Sequence, residues 1–376
     1  MSDTVEFSIH TDKTGKPCYR ELTLKSEGDK KIHLNLLDLF FRPRQVLEKN
    51  YANIFPPHPE IQDYHSMMIT QDDFRPWNGW VFRGQTREHL ETTFERRYLK
   101  RYLKGEQNRN EQKLDRDLFD LEMGIVRAFK RTAGAFHHEL NFVHDLDTYE
   151  YMSWIRHFGG ATRFMDVTNS FFIALFFAVG RLFSFEDDDC EATTRRCSIW
   201  CFDKLWLENR YKEFLPPQIA TLYEQHDKFG KDVRIQKAIL NYVPDRKRNN
   251  EEYNDTFLSV INMEPFYHNR RLIRQKGLFL MPTNPYRSFE DNLFNMVRDE
   301  KDAWHILKIN IDINCEEAAY LLKFLDFMNI NGDVLFENLE GICENLSNKA
   351  LFHNDSITVS PNTGINNSTS RKLFDI

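Results

Sequence analysis

Two separated segments of this chain carry the residues whose types and spacing could do chemistry. The first reads W-V-F-R-G-Q at residues 80–85. Its first three residues favour a strand, and Gly84 breaks that strand. Arg83 would then present its planar fork of donors at the end of a strand, where ligands commonly dock in α/β sheets. The segment therefore predicts a ligand-binding position at Arg83.

The second segment places a dense group of polar residues directly before a strongly apolar run. It reads H-F-G-G-A-T-R-F-M-D-V-T-N-S at residues 157–170. The polar residues that precede the apolar run are Thr162, Arg163, Asp166, Thr168 and Ser170. A charged pair beside a core helix is typical of a functional site, so we expect Arg163 or Asp166 to face a ligand. The alternative is that these two residues only pair with each other across a turn.

Three other residues could each have either a structural or a functional role. His157 is either a general acid or base or a residue that ends a helix before Gly159. Ser170 can simply cap the helix that begins at Phe171. Glu122 lies next to the apolar stripe of a predicted helix, where a partly buried carboxylate needs a cationic partner. Arg163 and Arg83 are the candidates for that partner.

A predicted helix at residues 88–103 is rich in basic side chains. They are Arg96, Arg97, Lys100, Arg101 and Lys104. Such a run could contact the phosphates of a nucleic acid, but charged helix faces are more often only solvated. Nucleic-acid binding through these residues is therefore the weaker interpretation.

The elements around these segments predict an α/β (α+β) protein with a mixed sheet and flanking helices. Residues 1–60 are predicted to form an N-terminal hairpin and a helix, with a proline-rich linker at 54–60. Residues 61–353 form the main domain, with strands at 198–202, 278–281 and 305–313 and a mostly helical insertion at about 205–262. The tail at 354–376 is rich in Asn, Ser and Thr and is expected to be disordered.

Composition excludes several classes of protein. The 376 residues carry 50 basic and 57 acidic side chains, so the net charge of −7 produces no global attraction to nucleic acid or anionic membrane. The longest apolar run, at 171–180, is too short to span a bilayer, and the start of the chain lacks the pattern of an export signal. We expect a cytoplasmic protein. The six cysteines are scattered, which favours reduced thiols, and their spacing does not predict a metal site.

The same residues resemble the FRG domain family, which is named for a Phe-Arg-Gly element. Five blocks carry the resemblance in order: W-V-F-R-G-Q at 80–85, L-E-M-G-I-V-R-A-F-K-R at 121–131, residues 157–170 followed by A-L-F-F-A, R-L-I-R-Q-K-G-L-F at 271–279, and V-L-F-E-N-L-E-G-I at 334–342. The chain departs from the family pattern at Arg156, Ala161 and Val167, where Gln, Pro and Trp are usual. The resemblance implies a bacterial or phage-associated protein with a possible role in defence against phage.

The order of elements is also similar to that of the ADP-ribosyltransferase fold, and this likeness implies NAD as cofactor. Arg83, Gly84 and Gln85 would hold the cofactor, with Gly84 allowing its close approach and Arg83 gripping its pyrophosphate. Thr162, Arg163, Thr168 and Ser170 would line the same site. The catalytic candidates are His157, Asp166, Glu122 and Gln275.

A glutamate at the place of Gln275 would be needed to stabilise the positive charge that develops on the ribose when nicotinamide leaves. An amide cannot supply that charge, so Asp166 or Glu122 must substitute, or the site binds without catalysis. The leading interpretation is a nucleotide-dependent, NAD-consuming or ADP-ribosyltransferase-like enzyme. The alternatives are a non-catalytic module that senses a nucleotide or a partner, and a toxin directed at nucleic acid.

Overall fold

The computed structural model describes most of the chain in separate stretches. The described residues are 7–26, 32–47, 50–55, 77–107, 117–133, 135, 147–180, 182, 194–216, 219–221, 237–240, 257–265, 268–336, 339, 341–343 and 345–346. The predicted tail at 354–376 lies outside them, as do most of the linker at 54–60 and much of the insertion at 205–262. These three predictions therefore stay predictions there.

Eight strands of the described residues form one mixed sheet. The strands are β1 (Ser8–Thr11), β2 (Pro17–Leu24), β3 (Trp80–Gln85), β4 (Met165–Thr168), β5 (Arg195–Asp203), β6 (Val260–Met263), β7 (Gly277–Pro282) and β8 (Ile306–Ile313). Their order across the sheet is β1-β2-β8-β5-β3-β4-β7-β6. The pair β2 and β8 is parallel, and the other neighbours are antiparallel. The predicted mixed α/β architecture is confirmed.

Helices cover both faces of this sheet. They are α1 (Ile32–Phe41), α2 (Pro43–Leu47), α3 (Tyr51–Ile54), α4 (Lys100–Gln107), α5 (Leu118–Ala133), α6 (Thr148–His157), α7 (Phe171–Val179), α8 (Lys204–Arg210), α9 (Arg270–Arg274), α10 (Phe289–Asn295), α11 (Cys315–Phe327) and α12 (Gly332–Phe336). A π-helical turn at Glu95–Leu99 leads directly into α4. Short 3-10 turns occupy Tyr211–Phe214 and Asp302–His305.

Strand β3 shows how the sheet divides the core into two layers. Its side chains alternate, so Trp80 and Phe82 join one buried cluster, whereas Val81 joins the other. The first cluster includes residues of α1, α7 and α11, and the second includes residues of α5, α6 and α10. A strand buried on both faces needs apolar residues at successive positions, which is why W-V-F reads as a continuous run.

The structure differs from the sequence prediction in four places. Gly84 does not break the strand, because β3 continues to Gln85 and Gly84 pairs with Ile199 of β5. Pro43 begins a separate helix α2, so the helix predicted after the N-terminal hairpin is broken after Phe41. The predicted helix at 88–103 begins only near Glu95, because the Thr92 hydroxyl accepts the backbone N–H of Glu95 at 3.1 Å. The end of the predicted helical insertion is wrong, since Val260–Met263 pairs with β7 as the edge strand β6.

The N-terminal hairpin is confirmed, and it extends the main sheet. Strands β1 and β2 pair antiparallel around a turn that Asp12 closes by accepting the backbone N–H groups of Thr14 and Lys16. Strand β2 then runs parallel to β8 over five residue pairs, from Arg20 with Leu307 to Leu24 with Ile311. The backbone of the N-terminal segment is therefore hydrogen-bonded into the same sheet that carries β3.

The packing of α7 on β3 requires a residue without a side chain at position 84. A Cβ at this position would overlap the carbonyl oxygen of Ala174 and lie 2.7 Å from the backbone nitrogen of Ala178. Both atoms belong to the backbone of α7, which cannot move aside as a flexible side chain could. The glycine is therefore required for close contact between helix and strand.

We expect Gly84→Ala to destabilise the fold by about 1–3 kcal/mol or more, because the new methyl group forces α7 away from β3. Urea unfolding followed by circular dichroism would measure the change. Gly124→Ala is the matched control, since a Cβ at Gly124 on α5 meets nothing within 4 Å. Equal stability of the Gly84 variant and the parent would contradict this packing argument.

Candidate arginine cleft

The C-terminal end of β3 opens into a cleft of about 310 Å³. Seven elements meet here: the end of β3 with its following loop, the π-helical turn, the end of α6, β4, α7, α9 and α12. The lining residues are Phe82, Arg83, Gly84, Gln85, Thr86, Arg87, His89, Arg96, Arg156, Asp166, Val167, Thr168, Phe177, Arg271, Gln275 and Phe336. A cleft of this volume lies at the small end of the range for small-molecule sites.

Arg83 is held at the floor of the cleft by two hydrogen bonds. Its Nε donates to Oε1 of Gln85 at 3.0 Å, and its Nη1 donates to the backbone carbonyl of Asp166 at 2.7 Å. Gln85 is itself fixed, because its Nε2 donates to the carbonyl oxygens of Arg87 and His89. An arginine has five N–H donors, so these contacts orient the guanidinium and leave further donors for a ligand.

Three more arginines converge on Arg83. The pKa of Arg83 is lowered to about 10, mainly by burial and also by the positive charges of Arg156, Arg96 and Arg87, against the opposite effect of Asp166. Burial and the charges of Arg87 and Arg156 likewise lower the pKa of Arg96. With a pKa of about 10, Arg83 stays charged near neutral pH. The cleft thus concentrates like charge that a bound anion would relieve.

Asp166 is the one carboxylate among the described residues that line the cleft. It forms an ion pair with Arg156, whose Nε donates to Oδ2 at 2.9 Å and whose Nη2 also contacts Oδ2. Partial removal from water favours the neutral carboxyl, but the charges of Arg156 and Arg83 outweigh it and lower the pKa of Asp166. Asp166 is therefore ionised, and five arginines face a single compensating negative charge.

Thr168 and Gln275 join β4 to the opposite wall of the cleft. The Thr168 hydroxyl donates to the carbonyl oxygen of Gln275 at 2.7 Å and accepts the backbone N–H of Ser170 at 3.0 Å. The Gln275 side chain donates from Nε2 to the carbonyl oxygen of Leu335 at 3.2 Å. Ser170 caps α7, because its hydroxyl accepts the backbone N–H of Ile173 at 3.4 Å. The capping interpretation of Ser170 is confirmed.

Arg163 and Glu122 lie in the interior, outside the set of residues that line the cleft. Each side chain is 1% exposed. The Glu122 carboxylate accepts Nε of Arg163 at 2.7 Å and its backbone N–H at 3.1 Å. The other guanidinium nitrogens of Arg163 donate to the carbonyl oxygens of Thr283 and Leu240. This pair joins α5 to the segment before β4, which identifies Arg163 as the predicted cationic partner of Glu122.

The pairing of charges differs from the simplest sequence expectation. Arg163 and Asp166 are three residues apart, yet Arg163 bonds Glu122 and Asp166 bonds Arg156. Asp166 lines the cleft and Arg163 does not, and the prediction that one of the two faces a ligand stays a prediction. Thr162 is also buried, and its hydroxyl accepts the backbone N–H of Phe164 at 3.4 Å.

His157 ends helix α6 beside the cleft without lining it. Burial lowers its pKa to about 4, and the nearby charge of Arg271 adds to that effect. The imidazole is therefore neutral near pH 7. Its ring packs against Trp154 and Phe158, and its carbonyl oxygen accepts Nη1 of Arg271 at 3.5 Å. The catalytic role assigned to His157 stays a prediction.

The basic side chains at 96–104 separate into different environments. Arg96 lines the cleft and donates from Nη1 to the carbonyl oxygen of Glu91 at 2.8 Å. Lys100 forms an ion pair with Glu91, and Arg97 and Arg101 are exposed. The side chain of Lys104 lies outside the described residues. Nucleic-acid binding through this run stays a prediction.

Three findings bear on cysteines, metals and membranes. Cys18, Cys197, Cys201 and Cys343 are free, whereas Cys315 is disulfide-bonded, so the prediction of reduced thiols fails at Cys315. Within the described stretches, no group of His, Cys, Asp and Glu is arranged to hold a metal ion. In the same stretches, no helix combines the length and the apolar character that crossing a bilayer requires.

Comparison with known proteins defines the class of domain that carries this cleft. Residues 78–187 match the family model of the FRG domain. The chain therefore contains an FRG domain, as the sequence motifs predicted. The match includes the first three of the five sequence blocks, and the blocks at 271–279 and 334–342 lie beyond it. No curated protein and no solved structure matches the chain.

The structure adds cleft residues that the sequence analysis did not assign to the site. They are Phe82, Thr86, Arg87, His89, Arg156, Val167, Phe177, Arg271 and Phe336. Arg87 could have been found from its closeness to Arg83 in sequence. Arg156 could have been noticed because this chain has arginine where the family pattern usually has glutamine. Phe177 and Phe336 stand in apolar stretches typical of core, and only the meeting of α7 with α12 places them at the cleft.

Glu95 positions the π-helical turn that brings Arg96 into the cleft. Its Oε2 accepts the backbone N–H groups of Phe289 at 3.1 Å and Thr92 at 3.4 Å. Burial nevertheless raises the pKa of Glu95 from 4.5 to about 7, because the two backbone contacts do not offset desolvation. A π-helical turn is uncommon and often occurs at a functional site.

We predict that truncation of the buried pair is strongly destabilising. Glu122→Ala leaves the Arg163 charge buried without its partner, so we expect a loss of about 3–5 kcal/mol in urea unfolding. The double variant Glu122→Leu with Arg163→Met should lose less, because it removes both charges together. A double variant less stable than Glu122→Ala would contradict this account.

We predict a pH-dependent stability that comes from Glu95. Because its pKa is raised in the folded state, its contribution is fully present below pH 4.5 and is lost as the pH rises through about 7. The lowered pKa of His157 makes the protein more stable as the pH rises, which opposes the effect of Glu95. The informative quantity is therefore the unfolding free energy of the parent minus that of the Glu95→Gln variant. From about pH 5 to about pH 8 this difference in unfolding free energy should fall by on the order of 2–3 kcal/mol. A flat or rising difference would show that Glu95 ionises normally.

Proposed function

We propose that the FRG domain of this chain binds a nucleotide through its phosphates in the arginine cleft. The observation that carries the proposal is the convergence of Arg83, Arg87, Arg96 and Arg156 on one cleft with Asp166 as the compensating carboxylate. Positive charges this close together, with Arg83, Arg96 and Arg156 partly buried, repel one another in the free protein, and a phosphate would relieve the repulsion by accepting charge-assisted hydrogen bonds.

The geometry of the arginines supports a phosphate in particular. Hydrogen bonds to Gln85 and to the carbonyl oxygen of Asp166 fix the guanidinium of Arg83, so its remaining N–H donors are held in one orientation. Planar guanidinium groups recognise phosphate in a bidentate manner, and rigid placement reduces the entropy lost on binding. The site residues Arg83, Gly84, Gln85, Asp166, Thr168 and Gln275 from the sequence prediction all belong to this cleft.

The finer proposal is that the nucleotide is NAD and that the chain consumes it. Its support in the cleft is Asp166, an ionised carboxylate that could stabilise the positive charge developing on the ribose. Gln275 supplies an amide instead of a charge. Glu122, the other candidate, bonds Arg163 away from the cleft. Because Arg156 partly neutralises Asp166, this catalytic proposal depends on how the pair rearranges around a ligand.

We expect Arg83→Ala to weaken binding of ADP and NAD by about ten- to hundredfold, because it removes a charged donor group from the phosphate site. Calorimetry with both nucleotides would measure the affinity. Arg127→Ala is the matched control, since Arg127 is an exposed arginine on α5 outside the cleft. Absence of nucleotide binding by the parent would refute the proposed function.

A separate measurement decides between catalysis and recognition. Purified parent, Arg83→Ala and Asp166→Asn proteins are incubated with NAD, and nicotinamide release is followed together with transfer of label to protein or nucleic acid. An NAD-consuming enzyme releases nicotinamide with the parent, and Asp166→Asn still binds NAD but loses release. Binding by the parent without any release would favour a nucleotide-sensing module. The family resemblance is the support for placing either activity in defence against phage.

A further inference from the structure

The wall of the cleft formed by α7, α9 and α12 is partly aromatic, unlike the side that carries Arg83, Arg87, Arg96 and Arg156. Phe177 of α7 and Phe336 of α12 both line it, and both are half-buried. The ring centroids of Phe177 and Phe336 are 6.0 Å apart, and their planes are inclined by 78°. Two perpendicular rings form a corner in which a third planar ring can stack on one and present its edge to the other.

Contacts from α9 hold this corner in place. The Arg271 guanidinium lies over the Phe336 ring, 4.9 Å from its centroid. The Gln275 side chain donates to the carbonyl oxygen of Leu335, the residue before Phe336. Helix α12 is thus attached to α9 on the side of the cleft. Gly332, its first residue, leaves no room for a Cβ, which would lie 2.5 Å from the carbonyl oxygen of Gly341.

We propose that this corner is a subsite for the heterocyclic base of the bound nucleotide. This inference rests on the proposed function, because the arginines would anchor the phosphate of the same ligand. Aromatic side chains stack on the flat face of a base, and this contact tolerates any base because every base has a π-face. The amide group of Gln275 also lines the cleft beside the two rings, where it can exchange hydrogen bonds with the edge of a base.

The division of the cleft explains why its ligand should carry both a phosphate and a planar ring. The positive charges of Arg87, Arg96 and Arg156 all lower the pKa of Arg83. Arg271 instead lies over the Phe336 ring and donates to the carbonyl oxygen of His157. A simple polyanion would use only the first group. A ligand with an apolar planar ring attached to a phosphate uses both walls.

The test compares ligands that differ only in the base. AMP, GMP, CMP and UMP are titrated into the full-length protein by calorimetry beside ribose 5-phosphate, which has the same phosphate and sugar. We expect at least one nucleotide to bind about tenfold more tightly than ribose 5-phosphate. Phe336→Leu and Phe177→Leu, which keep an apolar side chain but remove a ring, should each weaken that nucleotide by about five- to twentyfold. Binding of ribose 5-phosphate should change by less than about twofold, since the phosphate anchor is intact.

Phe327→Leu is the matched control, because Phe327 on α11 is 87% exposed and outside the cleft. It should leave all affinities unchanged. If no nucleotide binds more tightly than ribose 5-phosphate, or if the leucine variants weaken both kinds of ligand equally, the base subsite is refuted while phosphate binding stands. If the parent binds none of these ligands, the base subsite and the proposed function are both refuted.

Discussion

The close approach of helix α7 to strand β3 is the constraint on which the site depends. It is possible because Gly84 has no side chain to meet the Ala174 carbonyl group. On the other face of the same strand, Arg83 is directed into the cleft, while α7 carries Phe177 to its opposite wall. Gly84 therefore allows the close packing of α7 on β3 beside the cleft. Within the Phe-Arg-Gly element, Phe82 is buried in the core, Arg83 lines the cleft and Gly84 admits the helix.

Charge in this molecule is arranged in two distinct ways. Arg163 and Glu122 are buried, and the donors and acceptors around them are matched, so this pair connects elements of the core. The arginines of the cleft are instead accompanied by one carboxylate among the described lining residues, and burial together with repulsion from its neighbours lowers the pKa of Arg83. The first arrangement is complete without a ligand. The second places several positive charges beside a single carboxylate, and this imbalance is the observation behind the proposed binding of an anion.

Much of the fold could be predicted because its signals are local. The alternating residues of the N-terminal hairpin, the apolar run of α7 and the Ser170 cap each act within a few neighbouring positions. Errors arose where a distant partner decides the conformation. Residues 260–262 were predicted as helix, but β7 offers a sheet edge with which Val260–Met263 pairs. The start of the helix at 88–103 was misplaced because Thr92 caps it at Glu95.

By itself, the sequence determined that this chain contains an FRG domain, that its sheet is mixed, and that Arg83 lies in a strand, but it placed the end of that strand too early. Tertiary structure alone decided which charges pair. Arg163 and Asp166 are only three residues apart in sequence. In the fold, Arg163 lies in the core and pairs with Glu122, whereas Asp166 lies in the cleft and pairs with Arg156. It also decided that Phe177 and Phe336, 159 residues apart by their numbers, form one corner of the site. The physical reason is that propensity and capping act along the chain, whereas burial and charge pairing depend on which surfaces meet.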